Sequence, residues 1–323
     1  MKAIVLLNGA AGSFAAGSRS QGQSAVAEAL AAAGIESELH VVAGTDLQSA
    51  AELALGSNID VLIVGGGDGT LSTVAGVMVN RDVPLGILPM GTLNHFAKDL
   101  GIPLDIALAA KVIAENHTIT IDVGELNGRV FINNSSLGIY PQMVLDRESQ
   151  RRRYGFSKWK AMINAMLKVF RRFPLVEVTL TTETASTVRK TPLVFVGNNC
   201  YQLDLFNLGK RTCLDRGELS LYVANAQTRW GMFKLIVRAM WGGLKQARDF
   251  ETLLLSTCQI DARRHHLHVA ADGEVLVLSP PLNYRILPGA LRVCVPQLTD
   301  KQVNQDQVRK DWGLTTEQAG GMP

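Results

Sequence analysis

Cysteine is scarce in this chain. Four are present, Cys200, Cys213, Cys258 and Cys294, and no two form a CxxC pair. That excludes the common zinc and dithiol motifs and fits a reducing, cytoplasmic compartment. Long apolar runs are missing too, since none approaches the roughly 18 residues of a membrane span. The opening MKAIVLLNGAAGSFAAGS carries an apolar core only from Ala3 to Leu7. A secretory signal needs more, so this segment reads as a first strand. There is no dense basic excess. The net charge of +3 excludes a dedicated nucleic-acid binder, while remaining compatible with contact on anionic lipid. Charged residues make up 19% and hydrophobic residues 47%, which is a globular composition. No internal repeat is present. The 323 residues suit two domains with sizeable cores.

What is there changes character along the chain. AIVLLN, SELHVVA, VLIVG and LGILP read as strands, alternating with the helical stretches SAVAEALAAAG, LQSAAELAL and STVAGVMV, and a further helix is expected over Asp105 to Asn116. Such βαβ alternation predicts a parallel sheet covered by helices on both faces. From Thr118 onward nearly every segment is strand-like and bounded by turn residues, which predicts a mainly antiparallel β-sandwich. The expected division is an α/β domain over 1–120, a β-sandwich domain over 121–298 and a polar tail over 299–323.

The most informative run is Val61-Leu62-Ile63-Val64-Gly65-Gly66-Gly67-Asp68-Gly69-Thr70, followed by Leu71 and a helical pattern. A strand, a glycine turn and a helix N-terminus together form an anion site: backbone N–H groups point at the ligand and the helix dipole favours negative charge. Glycine lets the backbone approach closely. Asp68 would repel a phosphate, but it makes sense if it holds Mg²⁺ or orders water around it, as phosphoryl transfer requires. A second glycine turn, Met90-Gly91-Thr92-Leu93-Asn94-His95, follows LGILP, and a third, Asn8-Gly9-Ala10-Ala11-Gly12-Ser13, follows the first strand. Loops at the carboxyl ends of neighbouring parallel strands share one crevice. The candidate nucleotide contacts are therefore Asn8, Gly12, Gly65, Gly66, Gly67, Asp68, Gly69, Thr70, Leu71, Gly91, Thr92 and Asn94, although capping would also explain Thr92 and Asn94. Later, HLHVA-ADG-EVLVL reads as a hairpin with Asp-Gly at its turn. Beside a nucleotide cleft, Asp272 and Glu274 acquire a second meaning as carboxylates able to accept a proton from a hydroxyl substrate.

These motifs, in this order over about residues 1 to 297, resemble the diacylglycerol kinase catalytic-domain family, which includes soluble bacterial diacylglycerol kinases and sphingosine and ceramide kinases. GGGDGT matches the family's nucleotide loop. GTLNHFAKDLGIP is similar to its second signature, IDVGELNGRVFINNSSLGI to its crossover strands, and Ala271-Asp272-Gly273-Glu274 to its late DGE motif. The resemblance implies an ATP-binding α/β domain, a β-sandwich lipid domain and an active site between them. It implies an ATP- and Mg²⁺-dependent lipid kinase acting on a diacylglycerol-like or sphingoid hydroxyl. Asp272 or Glu274 would be the base, Asp68 the Mg²⁺ organiser, and Asp122 a second acidic position at the metal. An NAD kinase-like small-molecule kinase shares the GGDGT loop, but its Asn-Glu dipeptide is missing here. A non-catalytic nucleotide or lipid sensor is the reading from another class.

Two departures from the family pattern stand out. His95 occupies a position where most members have aspartate, and a neutral imidazole does not replace that charge. Cys213 and Arg216 fall where a structural metal segment has carboxylates, which predicts the loss of that metal. Two basic amphipathic stretches, Lys158 to Arg172 after Arg151-Arg152-Arg153, and Trp230 to Phe250, carry Trp159, Trp230 and Trp241. Such helices can rest on anionic lipid or pack on the sandwich. The expected partners are thus a lipid substrate and the inner membrane surface, with no nucleic acid, and a homodimer is admitted.

Overall fold

A computed structural model describes residues 1–10, 19–141, 144, 175–183, 185–201, 211, 213–226, 228, 230, 231, 234 and 249–297. Gly12, the run Arg151 to Arg153, the expected helix at 158–172, nearly all of that at 230–250 and the tail at 299–323 lie outside them.

The N-terminal half is an α/β domain. Four parallel strands, β1 (Lys2–Asn8), β2 (Glu36–Val42), β3 (Val61–Gly66) and β4 (Leu85–Pro89), lie in the order β2-β1-β3-β4. They alternate with α1 (Arg19–Ala32), α2 (Leu47–Leu55) and α3 (Asp68–Met78), and α4 (His95–Asp99) and α5 (Ile106–Ala114) follow. β3 is central and buried on both faces. Its apolar side chains Val61, Leu62, Ile63 and Val64 each contribute roughly 1.5–3 kcal/mol by leaving water. α5 is shorter than the expected Asp105 to Asn116. The Asp105 carboxylate caps it by accepting from Leu108 N at 2.9 Å, and Asn116 at φ 52° turns the chain out of the helix.

The C-terminal half contains β5 (Thr118–Leu126), β6 (Arg129–Phe131), β7 (Asn134–Gly138), β8 (Val176–Thr181), β9 (Ser186–Thr191), β10 (Leu193–Asn198), β11 (Leu219–Ala224), β12 (Phe250–Leu255), β13 (Thr257–Ala262), β14 (Leu267–Ala271), β15 (Glu274–Leu278) and β16 (Leu282–Cys294). One antiparallel sheet runs β12-β11-β10-β7-β14-β15. It faces β16, β13, β8 and β9 across a core that includes Leu137, Val194, Val196, Leu221, Val269, Ile260 and Tyr284.

The two halves are joined by β16. Its first part pairs with β13 and β5. After a register break between Leu287 and Leu291, with Gly289 at φ 56°, its second part continues along β5 and reaches β4 at Val293↔Leu85. One ten-stranded sheet therefore runs through both domains. The first core is completed by Ile121, Val123, Leu291 and Val293 from the later part of the chain. At this junction Asp122 is buried, and its two oxygens accept from Gly217 N (2.6 Å) and Gly289 N (2.8 Å). Among the described residues no helix is long and apolar enough to cross a membrane.

Candidate functional site

The glycine turn is tighter than three consecutive glycines suggest. β3 continues through Gly66, Gly67 is extended, and α3 already begins at Asp68. Packing explains this. A Cβ on Gly66 would lie 2.5 Å from Thr70 Cβ, and one on Gly65 would lie 2.7 Å from Met90 Sδ. The first-turn amides of α3 precede the first intrahelical bond, from Leu71 N to Gly67 O at 3.1 Å, so by helix geometry they are open to an anion. Leu71 itself is fully buried, and only its backbone belongs to the turn. Asn8 joins the cluster by donating from Nδ2 to Thr70 Oγ1 at 2.8 Å.

The second glycine turn touches the first. A Cβ on Gly91 would lie well inside contact distance of Gly67 Cα, 3.2 Å from Gly67 N and 2.7 Å from Asn94 Oδ1. Asn94, at φ 50°, closes its own loop: Oδ1 accepts from Gly91 N and Nδ2 donates to Gly91 O, both at 2.9 Å. Thr92 and Leu93 are exposed at the tip. Asp68 ties the turns together, because its carboxylate accepts from Phe96 N (2.9 Å) and His95 N (3.2 Å) at the start of α4. It thus caps a helix 27 residues away while keeping one lone pair per oxygen for another contact.

The hairpin between β14 and β15 comes to the same place. Asp272 and Gly273 occupy its turn at φ 46° and 85°, a pair of positive angles suited to a two-residue hairpin. Asp272 accepts from Ile132 N (2.7 Å), Asn133 N (2.8 Å) and Asn134 N (3.1 Å), and from the Ser72 side chain on α3. Burial pushes its carboxyl above the usual aspartate range, against the pull of Ser72 and these amides. Glu274 is exposed and paired with Arg129 at 2.6 Å, and its Oε1 lies 3.4 Å from the position of a Cβ on Gly69. The structure therefore brings Asn8, Gly65 to Leu71, Gly91 to Asn94, Asp272 and Glu274 into one cluster. Asp122 instead fastens the turns at Gly217 and Gly289.

Sequence reasoning missed the polar joint behind this cluster. Arg211, fully buried, donates from Nε to Asp99 Oδ2 (2.8 Å), from Nη1 to Ile132 O (2.6 Å) and from Nη2 to Asn133 Oδ1 (3.2 Å). It also lies over the rings of Phe96 and Tyr201. Asn198 Nδ2 donates to Ile132 O and to Asp122 O, each at 2.9 Å. The only outward signals were the Asn-Asn pairs at 133–134 and 198–199. On the outer face of the six-stranded sheet Phe195, Tyr201, Tyr222 and Phe250 form an aromatic cluster. Ser136 belongs to the same face, and its buried Oγ has no partner among the described residues.

Nucleotide phosphates fit the glycine turn, because the first-turn amides of α3 precede its first intrahelical bond and Gly67 and Gly69 carry no side chain to cover them. Mg²⁺ fits less fully. Among the described residues no three His, Cys, Asp or Glu side chains gather as a metal site. Asp68 suits a contact shared with phosphate and water, as Mg²⁺ commonly uses, whereas Asp122 is enclosed by its amide donors. Around Cys213 to Leu219 the loop is held by protein contacts: Arg216 N donates to Asn199 Oδ1 at 2.9 Å, and Arg216 Nη1 approaches Cys200 Sγ at 3.7 Å.

Residues 2–126 match the family model for a diacylglycerol kinase catalytic domain, and residues 145–295 match a YegS C-terminal NAD kinase beta sandwich-like domain. Diacylglycerol kinases of Staphylococcus aureus strains JH9 and Newman are each 44% identical over 102 residues, which is 31% of this chain and 32% of those proteins. The match thus spans about a third of the curated relatives' length. A crystal structure of a diacylglycerol kinase from Bacillus anthracis str. Sterne has a TM-score of 0.64 at 22% identity. Another from the same organism, of a candidate diacylglycerol kinase, has 0.69 at 24%. Each alignment covers 91% of this chain and 97% of the other, and at these identities the likeness is one of fold.

Proposed function

Because the chain belongs to the diacylglycerol kinase catalytic-domain family, we propose that this kinase transfers the γ-phosphoryl group of ATP, with Mg²⁺, to a lipid hydroxyl. The product is then a phosphomonoester lipid such as phosphatidic acid. One observation carries the reading. The glycine turns of the α/β domain and the Asp272–Glu274 hairpin of the β-sandwich meet, with Ser72 bonded to Asp272 and Gly69 beside Glu274.

The division of labour follows. Amides of Gly67, Asp68, Gly69 and Thr70 receive phosphate oxygens, and Asn8 fixes Thr70. The Gly91 to Asn94 loop borders the nucleotide, with Thr92 able to reach it. Asp68 orders Mg²⁺ through water, and the ion neutralises phosphate charge when bound. Asp272 or Glu274 takes the proton from the attacking hydroxyl. The lipid is reached from the inner membrane surface.

The test is incubation with labelled ATP, Mg²⁺ and vesicles containing diacylglycerol or a sphingoid base, with NAD as the competing acceptor. A labelled phospholipid is expected. Asp68→Asn and the more important of Asp272→Asn and Glu274→Gln should lose about two to four powers of ten in turnover. Labelled NADP as the sole product would identify a small-molecule kinase. Nucleotide binding with no labelled product would identify a sensor.

A further inference from the structure

Arg211 has a connection to Asp272 that its direct contacts do not reveal at once. Its Nη1 donates to the carbonyl of Ile132 at 2.6 Å, and Asn198 Nδ2 donates to the same oxygen at 2.9 Å. The N–H of that peptide is the amide of Asn133, which donates to Asp272 Oδ1 at 2.8 Å. A carbonyl that accepts two donors polarises its own peptide and strengthens its N–H as a donor. One of the two donors is a full cation. The chain Asp99, Arg211, Ile132–Asn133 peptide, Asp272 therefore alternates negative and positive ends without a gap.

The surroundings keep that cation in place. Arg211 is walled by Phe96 at 5.7 Å and Tyr201 at 5.8 Å, measured to the ring centroids. Against the cost of burial, the carboxylates of Asp99 and Asp272 hold the guanidinium charged. Burial pushes the Asp99 carboxyl up, and Arg211 draws it back. Burial likewise raises the Tyr201 phenol, leaving it a neutral hydroxyl within reach of Asn134. Only a planar fork serves Asp99, Ile132 and Asn133 at once, since a lysine ammonium is a single point. The groups that face Asp272 are thus Ser72 from α3, the three amides of the 132–134 turn, Arg211 and Tyr201 from the sandwich, and Asp99 behind Arg211. On its own hairpin stands Glu274, whose charge is balanced by Arg129.

We propose that Arg211 is a positioning residue: through the Ile132–Asn133 peptide it fixes the Asp272 carboxylate and keeps it ionised as the proton acceptor. This rests on the kinase reading with Asp272 as the base. The Arg211 cation favours the charged form of Asp272, so its removal raises the pH at which Asp272 loses its proton.

The experiment reads Asp272 in two ways: carboxyl ¹³C NMR titration of the full chain, and the acidic limb of kcat/KM against pH with the phosphorylated lipid. In Arg211→Met both midpoints should move to higher pH by about one unit. In Arg211→Lys, which keeps the charge and loses the fork, they should move by less than half as far, while kcat falls. If Arg211→Met fails to fold because Asp99 is left buried and unpaired, the Asp99→Asn/Arg211→Met variant should show a shift in the same direction. A folded Met or double variant that titrates Asp272 like the wild type overturns the proposal. So does a moved carboxyl midpoint with an unmoved kinetic limb, because Asp272 then takes no part in the reaction. Wild-type protein that phosphorylates no lipid overturns the kinase reading separately, and the carboxyl titration still reads the effect of Arg211.

Discussion

Gly91→Ala is the most incisive test of how the two glycine turns depend on each other. Alanine suits the Gly91 backbone, whose φ lies outside the left-handed region, so any effect comes from the added methyl. That methyl would point at backbone, 3.2 Å from Gly67 N and closer to Gly67 Cα, and 2.7 Å from Asn94 Oδ1. Carbon contacts settle at about 3.5–4.0 Å, so the turns must part by roughly 1 Å. The Asn94 side chain can swing aside at the loss of its bonds to Gly91, but the contact with the Gly67 backbone has no such relief. Overpacking of this kind costs about 1–3 kcal/mol, and the two Gly91–Asn94 hydrogen bonds are worth about 1 kcal/mol each if broken. The expected melting temperature falls by about 5 °C. Under the proposed role of the α3 amides, their displacement weakens nucleotide binding about tenfold, for a loss near 1.4 kcal/mol. Differential scanning fluorimetry and calorimetric titration with a non-hydrolysable ATP analogue measure both. The comparison is graded. A Cβ on Gly67 meets Gly91 Cα at 3.3 Å and one on Gly69 meets only Glu274 Oε1 at 3.4 Å, so Gly67→Ala should be milder. Gly69→Ala, inside α3, should hold or gain stability by up to about 1 kcal/mol. Equal melting temperature and equal nucleotide affinity for Gly91→Ala and wild type would refute the contact between the turns.

Two other predictions concern stability and reactivity. Arg189 on β9 and Glu251 on β12 form a two-pronged pair, at 2.9 and 3.0 Å, that clips together the edges of the two sheets. The hydrogen bond from Arg189 lowers the Glu251 carboxyl below its ordinary range, so its contribution is present above the unfolded pKa and lost as pH falls through the lower folded value. Glu251→Gln should therefore melt below wild type at neutral pH, with the gap closing in strong acid; a pH-independent gap in melting curves would refute the ion pair as its cause. Burial pushes the Cys258 and Cys294 thiols up to about 11 and closes them off from solvent; it raises the Cys200 thiol too, but Cys200 and Cys213 are only half-buried and stay within reach of a reagent. A disulfide reagent at pH 8 should label only Cys200 and Cys213 in the native protein and all four after unfolding, and four equally fast native thiols would contradict this.

Much of the architecture could be read in advance because it is periodic. The alternation from β1 to α3 and the strand-rich second half both carry patterns that local packing obeys. The strand, glycine and helix order at β3 was legible, but its compression was not. Leu7, Met90 and Thr70 close over Gly65 and Gly66 and pull both into the strand. The Asp-Gly hairpin was legible from two residues, since few other pairs accept φ 46° and 85°. Asp68 was recognisable as out of place in a phosphate loop, but its amide partners lie a whole βα unit away. Arg211 and Asp99 left no mark at all. A single buried cation has no period, and its hydrogen-bond partners come from the 132–133 turn between β6 and β7 and from α4. Asp122 shows the opposite limit: its family position suggested a metal, while its local donors, Gly217 N and Gly289 N, make it a latch.

β16 sets a schedule for folding as well as a shape. During synthesis, β4 leaves the ribosome with one edge unpaired, and the strand that closes it at Val293 is made roughly two hundred residues later. At about 5–20 residues per second that interval is on the order of 10–40 s. Throughout it the nascent α/β layer exposes Leu85 to Leu88 along an open sheet edge, a template for pairing with another chain. A ribosome that stalls before residue 282 thus releases a product with an adhesive flank, and chaperone cover should be needed most over that window. A separately supplied peptide spanning 282–295 should seal the flank of such a fragment in trans.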